Sequence, residues 1–324
     1  MTSVTLPSTD LAVSPICLGT ADMGSTIPRE RAFDLFDLFV ELGGNFLDSA
    51  NVYANWLPGE RCISEKTIGA WMKERGNRDR MVIATKGAHP DLKTMHVPRL
   101  SPREIVSDID ESLRNLGTDR IDLYYLHRDD PSRPVEDVMT TLNNQIKAGK
   151  VRYIGCSNWK AARIHDAMHF SLRNNLQSFR ADQMQWNAAV PDPAHFFDPT
   201  MVAMSPELYQ LHGETGLAAI PYSSQAGGIF NKMAKEPQKY LDTGWPGTYN
   251  NPENGRRLHR MLKVCAEKSI TVTQAVLGFL LSQPFTTVPI VGCKSPQQLR
   301  DSMGAMDVRL TAEELSAITG GASF

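Results

Sequence analysis

The stretch Ile16-Cys-Leu-Gly-Thr-Ala-Asp-Met-Gly24 decides between the two folds that suit the rest of the chain. It is a short apolar run followed by Gly-Thr-Ala-Asp-Met-Gly. A doubly wound dinucleotide-binding sheet normally carries Gly-x-Gly-x-x-Gly behind its first strand, because the backbone must turn tightly and approach a pyrophosphate. The stretch has a different pattern, which disfavours the open sheet.

Short apolar runs alternate with longer amphipathic segments along the whole chain. The predicted strands are Ile16–Leu18, Asn45–Asp48, Met81–Thr85, Leu123–His127, Tyr153–Ser157, Ala181–Gln185, Ala218–Tyr222 and Thr287–Val291. The predicted helices are Pro28–Leu42, one opening at Ser101, Pro134–Ala148, Thr271–Ser282 and Ser295–Met306. Strands that alternate with helices imply a parallel sheet, and right-handed crossovers close eight such units into a barrel. We therefore predict an α/β fold, a (β/α)8 TIM barrel of eight parallel strands, forming a single domain over residues 1–324.

Composition excludes several classes of function. The 324 residues include 34 basic and 36 acidic side chains, so no basic excess indicates nucleic acid. The five cysteines form no Cys-x-x-Cys pair and no zinc-like cluster with histidine, so we expect no metal site. Met1–Asp10 lacks the apolar segment of a signal peptide, and the longest apolar run, around Ala275–Leu281, is too short to span a bilayer. We expect a cytoplasmic protein without a membrane partner, and its oligomeric state stays open.

Four polar residues lie at or just beyond the ends of three consecutive predicted strands: Asp48, Tyr53, Lys86 and His127. Each has an ordinary explanation by itself, such as a helix cap, a solvated lysine or a structural histidine. Residues that directly follow barrel strands converge at the mouth of the barrel. The four together therefore indicate a catalytic group.

The four side chains suit the reduction of a carbonyl. Hydride transfer leaves a developing alkoxide that needs a proton, and Tyr53 can donate one. The pKa of an unperturbed tyrosine is about 10, and we expect the ammonium of Lys86 to lower it. Asp48 is expected to hold Lys86 charged and in place, while His127 orients and polarises the carbonyl oxygen.

Several blocks of sequence resemble the aldo-keto reductase superfamily, of the bacterial type. They are Ser14–Thr20, Phe46-Leu-Asp-Ser-Ala-Asn-Val-Tyr53, Ala84-Thr-Lys86, Ser112–Asp122, Asp122-Leu-Tyr-Tyr-Leu-His127 and Gly149-Lys-Val-Arg-Tyr-Ile-Gly-Cys-Ser-Asn158. The similarity runs nearly from end to end. It implies a (β/α)8 barrel with a catalytic tetrad of Asp48, Tyr53, Lys86 and His127.

The resemblance also implies a nicotinamide cofactor, NADPH, with NADH as the alternative. The residues it assigns to the cofactor are Gly19, Thr20, Asp48, Ser157, Asn158, Gln183, Tyr222, Ser223, Gln225, Gly227, Gly292, Lys294, Gln298 and Asp301. Of these, Tyr222 is expected to stack on the nicotinamide, Ser223 to Gly227 to cover the pyrophosphate, and Lys294 to bind the 2′-phosphate. Ser302 stands where the family often has Asn.

The substrate is expected to be a small carbonyl compound. Its pocket is expected to form from Tyr53, Trp56, His89 and His127, together with the long connections Gly87–Leu100 and Gly227–Asn254. Aromatic faces beside polar groups suit a keto or aldo sugar, and equally an aromatic aldehyde. Trp245 and Tyr249 lie in the second connection, where packing within their own loop explains them equally well. The alternative function is a non-catalytic or weakly catalytic, cofactor-binding regulatory subunit on the same barrel.

Overall fold

Parallel strands hydrogen-bonded in chain order form the centre of the molecule. The computed structural model describes residues 3–196, 198–237, 247–249 and 251–322. The strands are β1 (Val4–Thr5), β2 (Ala12–Val13), β3 (Cys17–Gly19), β4 (Phe46–Asp48), β5 (Val82–Gly87), β6 (Ile121–Leu126), β7 (Val151–Ser157), β8 (Ala181–Gln183), β9 (Ala218–Ala219) and β10 (Ile290–Val291). The helices are α1 (Arg29–Glu41), α2 (Ile63–Arg75), α3 (Pro102–Leu116), α4 (Val135–Lys147), α5 (Ala161–Arg173), α6 (Pro206–Thr215), α7 (Ile229–Lys235), α8 (Pro252–Lys268), α9 (Val272–Leu281), α10 (Pro296–Met303) and α11 (Ala312–Thr319).

The eight-stranded sheet, β3 to β10, closes into a barrel. β10 pairs in parallel with β3, so that Ile290 lies opposite Cys17. The same segment is also hydrogen-bonded to the other edge of the sheet, at β9 and the residues that follow it. The N–H of Val288 donates to the carbonyl of Ala219 (2.9 Å), and that of Ile290 donates to the carbonyl of Pro221 (3.0 Å). One segment thus joins the first and seventh barrel strands, which confirms the predicted (β/α)8 barrel.

Alternation along each strand divides the core into two layers. An inner cluster fills the barrel; its members include Cys17, Phe46, Ala84, Tyr125 and Ala181. A larger outer cluster packs the strands against the helices. Because side chains in a strand alternate between faces, the residue two positions beyond each inner residue also points inward, at the upper mouth.

The lower end of the barrel is covered by an element that the sequence patterns did not predict. β1 and β2 pair as an antiparallel hairpin, Val4 opposite Val13. Leu6, Leu11 and Val13 belong to the inner cluster, so the hairpin plugs the bottom of the barrel with apolar side chains. The hairpin strands have two residues each, too short to leave a recognisable alternating pattern.

Several predicted boundaries were wrong. Gln185 was predicted inside a strand but lies beyond β8, where it makes single bridges to Ala203 and Tyr222 as the strands separate at the mouth. The predicted helix Ser295–Met306 ends at Met303, next to Gly304. The connection Gly227–Asn254 contains α7 and the start of α8. Trp245 lies outside the described residues.

Among the described residues, no single helix has the length and the apolar composition to cross a membrane. α8 and α9 reach that threshold only as a pair, and they meet at an angle of 96°.

We predict that Gly155→Ala destabilises the barrel. A Cβ at Gly155 would lie 2.6 Å from the ring of Tyr125 and 2.7 Å from the carbonyl oxygen of Ala181, inside a packed core. Overpacking of this kind costs roughly 1–3 kcal/mol, measured as a loss in the free energy of unfolding in urea.

The control is Gly213→Ala, on the exposed side of α6, where a Cβ would meet no described atom within 4 Å. This change should stabilise the protein by about 0.5–1 kcal/mol, because alanine favours the helix. Equal stability of the two variants would contradict the inner-layer packing.

Candidate active site

The loop that follows β4 is fastened to the neighbouring strand β5. The N–H of Ser49 donates to the carbonyl of Ala84, and that of Asn51 donates to the carbonyl of Lys86, each at 2.9 Å. The chain then turns, and the N–H of Tyr53 donates back to Ala50 at 3.1 Å. These bonds bring a tyrosine five residues beyond a strand back over the mouth of the barrel.

Lys86 donates all three of its ammonium protons. Its Nζ lies 2.7 Å from Oδ2 of Asp48, 2.7 Å from the carbonyl oxygen of Ser49 and 3.0 Å from the hydroxyl of Tyr53. Lys86 and Asp48 are each 1% exposed. The second oxygen of Asp48 accepts a bond from Nε2 of Gln183 at 2.6 Å. The buried charges are therefore paired, and the phenol is held in contact with the ammonium.

The expected lowering of the pKa of Tyr53 was wrong for the protein alone. Burial has the largest effect and raises the pKa of the phenol; Lys86 lowers it by less, and Asp48 raises it further. Desolvation of the phenolate outweighs the attraction of Lys86, and the charge of Asp48 opposes that attraction. Tyr53 is consequently a protonated phenol at neutral pH.

His127 lies beside this group and is neutral. Its ring centroid is 6.0 Å from that of Tyr53 and 4.7 Å from that of His89. Burial, and then the cation of Arg128, lower the pKa of His127 well below its ordinary value. A neutral imidazole can donate a hydrogen bond to a carbonyl oxygen without taking its proton.

A single cavity of about 1700 Å³ opens at this end of the barrel. It is lined by every residue that the sequence assigned to catalysis, to the cofactor or to the substrate. Alternation explains part of this convergence, because Ser157, Gln183 and Tyr222 occupy inward positions at the mouth, as Asp48 and Lys86 do. The structure brings the predicted residues together; the roles assigned to them stay predictions.

The polar wall beyond the tetrad is rigid. Asn158 has a left-handed backbone, with φ of 61°. Its Oδ1 accepts bonds from the hydroxyl of Tyr222 (2.7 Å) and the N–H of Val202 (3.0 Å). Its Nδ2 donates to Ser157 at 3.0 Å and to the carbonyl of His127 at 3.3 Å. The amide of Asn158 therefore fixes Tyr222 and His127 relative to each other.

A tight glycine-containing turn forms the wall beyond Tyr222. Ala226, Gly227 and Gly228 are consecutive left-handed residues, with φ of 50°, 63° and 77°. The N–H groups of Ala226 and Gly228 are used within the turn, where they donate to the carbonyls of Ser223 and Gln225 at 2.8 Å each. Lys232 and Lys235, on α7, line the same part of the cavity. Neither lysine was predicted from the sequence, because this segment has the composition of a connection. Their spacing of three residues was the available helical signal.

The far end of the cavity carries the remaining predicted residues. Lys294 is 69% exposed, and its Nζ lies 3.3 Å from Asp22 of the first loop. Gln298 accepts a bond from the N–H of Lys294 at 2.8 Å, and Asp301 accepts one from Thr271 at 2.8 Å. The helix α10 begins here, with Ser295 as its N-cap. The N-terminus of a helix favours negatively charged groups.

The two aromatic residues considered for the substrate lie in different places. Trp56 lines the cavity, 52% exposed, with its ring 6.2 Å from that of Tyr53 in an edge-on arrangement. Tyr249 instead accepts hydrogen bonds from Gln185 (3.0 Å) and Asn187 (2.8 Å) and packs against the outer cluster. Tyr249 therefore packs beneath its loop, and it is not among the described residues that line the cavity.

Comparison with known proteins agrees with this geometry. The model of the Aldo/keto reductase family matches residues 15–321. An aryl-alcohol dehydrogenase of Pestalotiopsis microspora is 30% identical, over 98% of this chain and 81% of its own. A norsolorinic acid reductase of Emericella nidulans is 32% identical, over 96% and 79%. An aryl-alcohol dehydrogenase [NADP(+)] of Phanerodontia chrysosporium is 29% identical, over 98% and 85%. These three relatives are fungal rather than bacterial.

The barrel and its relatives define an oxidoreductase that acts on carbonyl groups. The chain belongs to the aldo/keto reductase family.

We predict that His89 makes stability depend on pH. Burial, followed by the Arg128 cation, lowers the pKa of His89 from 6.5 to about 4. Between pH 6.5 and 5 the unfolded chain binds a proton that the folded protein does not. The free energy of unfolding therefore decreases as the pH is lowered through this range. The loss attributable to His89 is about 2 kcal/mol.

Urea unfolding at pH 7.5 and pH 5 measures this loss. His89→Gln should lose less stability than the wild type over that interval, whereas His259→Gln, at an exposed site on α8, should follow the wild type. Parallel curves for wild type and His89→Gln would show that His89 is not held neutral.

Proposed function

We propose that the protein uses NADPH to reduce an aromatic aldehyde or ketone to the alcohol, with Tyr53 as the proton donor. The observation that carries the proposal is the buried chain of hydrogen bonds from Asp48 through Lys86 to the Tyr53 hydroxyl, with lengths of 2.7 and 3.0 Å. These three residues line a cavity of about 1700 Å³, which has room for a dinucleotide. NADH is the alternative cofactor.

The protein's own groups account for the movement of the proton. Tyr53 is protonated at rest, because burial raises its pKa. As the phenol gives up its proton to the substrate oxygen, the phenolate that forms lies 3.0 Å from the ammonium of Lys86. This interaction stabilises the phenolate more than it stabilises the phenol, which is the condition for catalysis. Neutral His127 is placed to donate a hydrogen bond to the same oxygen.

The cavity also suits the cofactor. Ser157, Asn158 and Gln183 are buried polar groups beside the tetrad, and Tyr222 offers an aromatic face next to them. Ser223 to Gly227 would cover the pyrophosphate, and Lys294 would bind the 2′-phosphate. When bound, the nicotinamide supplies the hydride. The name of the Phanerodontia relative, which specifies NADP(+), supports the choice of the phosphorylated cofactor.

An aromatic substrate is favoured by the apolar side chains around the entrance. Trp56, Leu92, Met95 and Met201 line the cavity, and the ring of Trp56 lies beside that of Tyr53. Trp56 and Leu92 are exposed there, although burying large apolar side chains is favourable. A planar ring would cover them. Two relatives are named aryl-alcohol dehydrogenases, which points in the same direction. A panel of aldehydes, ketones and keto-sugars tests the sugar hypothesis, which greater activity on apolar aldehydes than on any sugar would contradict.

We predict that Tyr53→Phe lowers kcat by about 10²–10⁴-fold with benzaldehyde and NADPH, the usual contribution of a positioned general acid. Cofactor affinity, followed by quenching of tryptophan fluorescence, should stay within a factor of three. The matched control is Tyr153→Phe, whose hydroxyl bonds to Asp10 away from the cavity; it should keep wild-type turnover. Nearly full activity in Tyr53→Phe would assign the proton to another donor.

A wild-type protein that binds NADPH but reduces no carbonyl in the panel would favour the regulatory alternative.

We predict that Lys294→Met weakens NADPH binding about tenfold, because a charge-assisted bond to the 2′-phosphate is worth roughly 1.4 kcal/mol at this exposed site. NADH binding should be unchanged within a factor of two. The control is Lys150→Met, on the face of the molecule opposite the active site, which should change the binding of neither cofactor. Fluorescence titration of the wild type and the two variants with both cofactors measures the six dissociation constants. An equal loss for NADPH and NADH would mean that Lys294 does not recognise the 2′-phosphate.

A further inference from the structure

Arg128 is a buried cation at the substrate end of the cavity to which the sequence analysis gave no role. It follows His127 directly, is 7% exposed and lines the same cavity. Its Nη2 donates to Asp198 at 2.6 Å, its Nε to Thr200 at 2.7 Å and its Nη1 to the carbonyl of His127 at 2.8 Å. The loop that carries Asp198 and Thr200 therefore holds the guanidinium in one orientation.

These bonds do not use the whole guanidinium. Arginine has five N–H donors in a planar fork. The bonds to Asp198, Thr200 and His127 take one hydrogen from each nitrogen, so one hydrogen on Nη1 and one on Nη2 find no acceptor among the described residues. Each of these two hydrogens can donate a charge-assisted bond to an acidic oxygen, such as that of a carboxylate.

The other charged or titratable groups at this end of the cavity cannot donate a charged hydrogen bond to a carboxylate. Lys86 has donated its three protons to Asp48, Ser49 and Tyr53. His89 and His127 carry no charge at neutral pH, because burial and the field of Arg128 lower the pKa of both. Of these groups, Arg128 is thus the cation that lines the cavity and keeps N–H hydrogens with no acceptor among the described residues.

We propose that Arg128 binds an acidic oxygen of the substrate, so that the preferred substrates are aromatic carbonyl compounds that bear a carboxylate. This inference rests on the proposed function and specifies its substrate class. The apolar entrance formed by Trp56 and Leu92 would cover the ring, Tyr53 and His127 would contact the carbonyl oxygen, and Arg128 would contact the carboxylate. The pair with Asp198 fixes the fork and leaves its remaining hydrogens available.

The test compares formylbenzoates with the isosteric, uncharged formylbenzamides, with the substituent at each ring position. The wild-type protein should show a kcat/KM at least tenfold higher for the acid than for the amide at one or more positions, the ratio expected of one charge-assisted contact. Arg128→Gln should bring that ratio close to one. Arg103→Gln, an exposed arginine on α3, should keep the wild-type ratio.

Arg128 also contributes to the packing of the loop, so the ratio of acid to amide, and not the absolute rate, is the readout. Arg128→Lys provides a second variant that keeps the charge and removes the fork; its ratio should fall at least threefold. Calorimetric titration with 4-(hydroxymethyl)benzoate should show the same order of affinity for wild type, Arg128→Lys and Arg128→Gln.

The outcomes separate this inference from the proposed function. Turnover of neutral aromatic aldehydes with an acid-to-amide ratio near one, unchanged in both Arg128 variants, would overturn the inference and leave the proposed function intact. No turnover of any carbonyl with either cofactor would overturn the proposed function. Calorimetric binding of the acid that does not depend on Arg128 would overturn the inference by itself.

Discussion

The buried ion pair between Lys86 and Asp48 is the interaction on which the rest of the site depends. Removing two charges from water costs several kcal/mol for each ion, and a short distance with further hydrogen bonds is needed to offset that cost. The 2.7 Å contact, the carbonyl of Ser49 and the amide of Gln183 meet this need. The hydroxyl of Tyr53 completes the shell of the ammonium, so the proposed proton donor belongs to the arrangement that makes the buried charge tolerable.

The closed barrel makes this pair possible. Asp48 and Lys86 end neighbouring strands, and each lies two residues beyond an apolar residue of the inner cluster, Phe46 and Ala84 respectively. A shift of one residue in either strand would send its charge into the outer layer, among the apolar contacts with the helices. The register of β4 on β5 therefore sets the geometry of the site. The loop bonds of Ser49 and Asn51 then carry that register outward to Tyr53.

Local sequence patterns could predict the features that depend on the alternation of apolar and polar residues and on the order of strands and helices along the chain. The barrel, the positions of Lys86 and His127 at strand ends, and the capping of α3 by Ser101 follow from such patterns. Features that depend on distant partners could not be predicted in this way. The fork of Arg128 is fixed by Asp198, seventy residues further along the chain. The direction of the pKa shift of Tyr53 depends first on its burial and then on the positions of Lys86 and Asp48, which only the three-dimensional structure gives.

The most direct measurement is a crystal structure of the protein with NADP⁺ and an aromatic alcohol bound. The account predicts that the oxygen of Tyr53 lies within hydrogen-bonding distance of both Nζ of Lys86 and the hydroxyl of the alcohol, with Lys86 still paired with Asp48. An alcohol hydroxyl bound to a different donor, with Tyr53 turned out of the cavity or separated from Lys86, would contradict it.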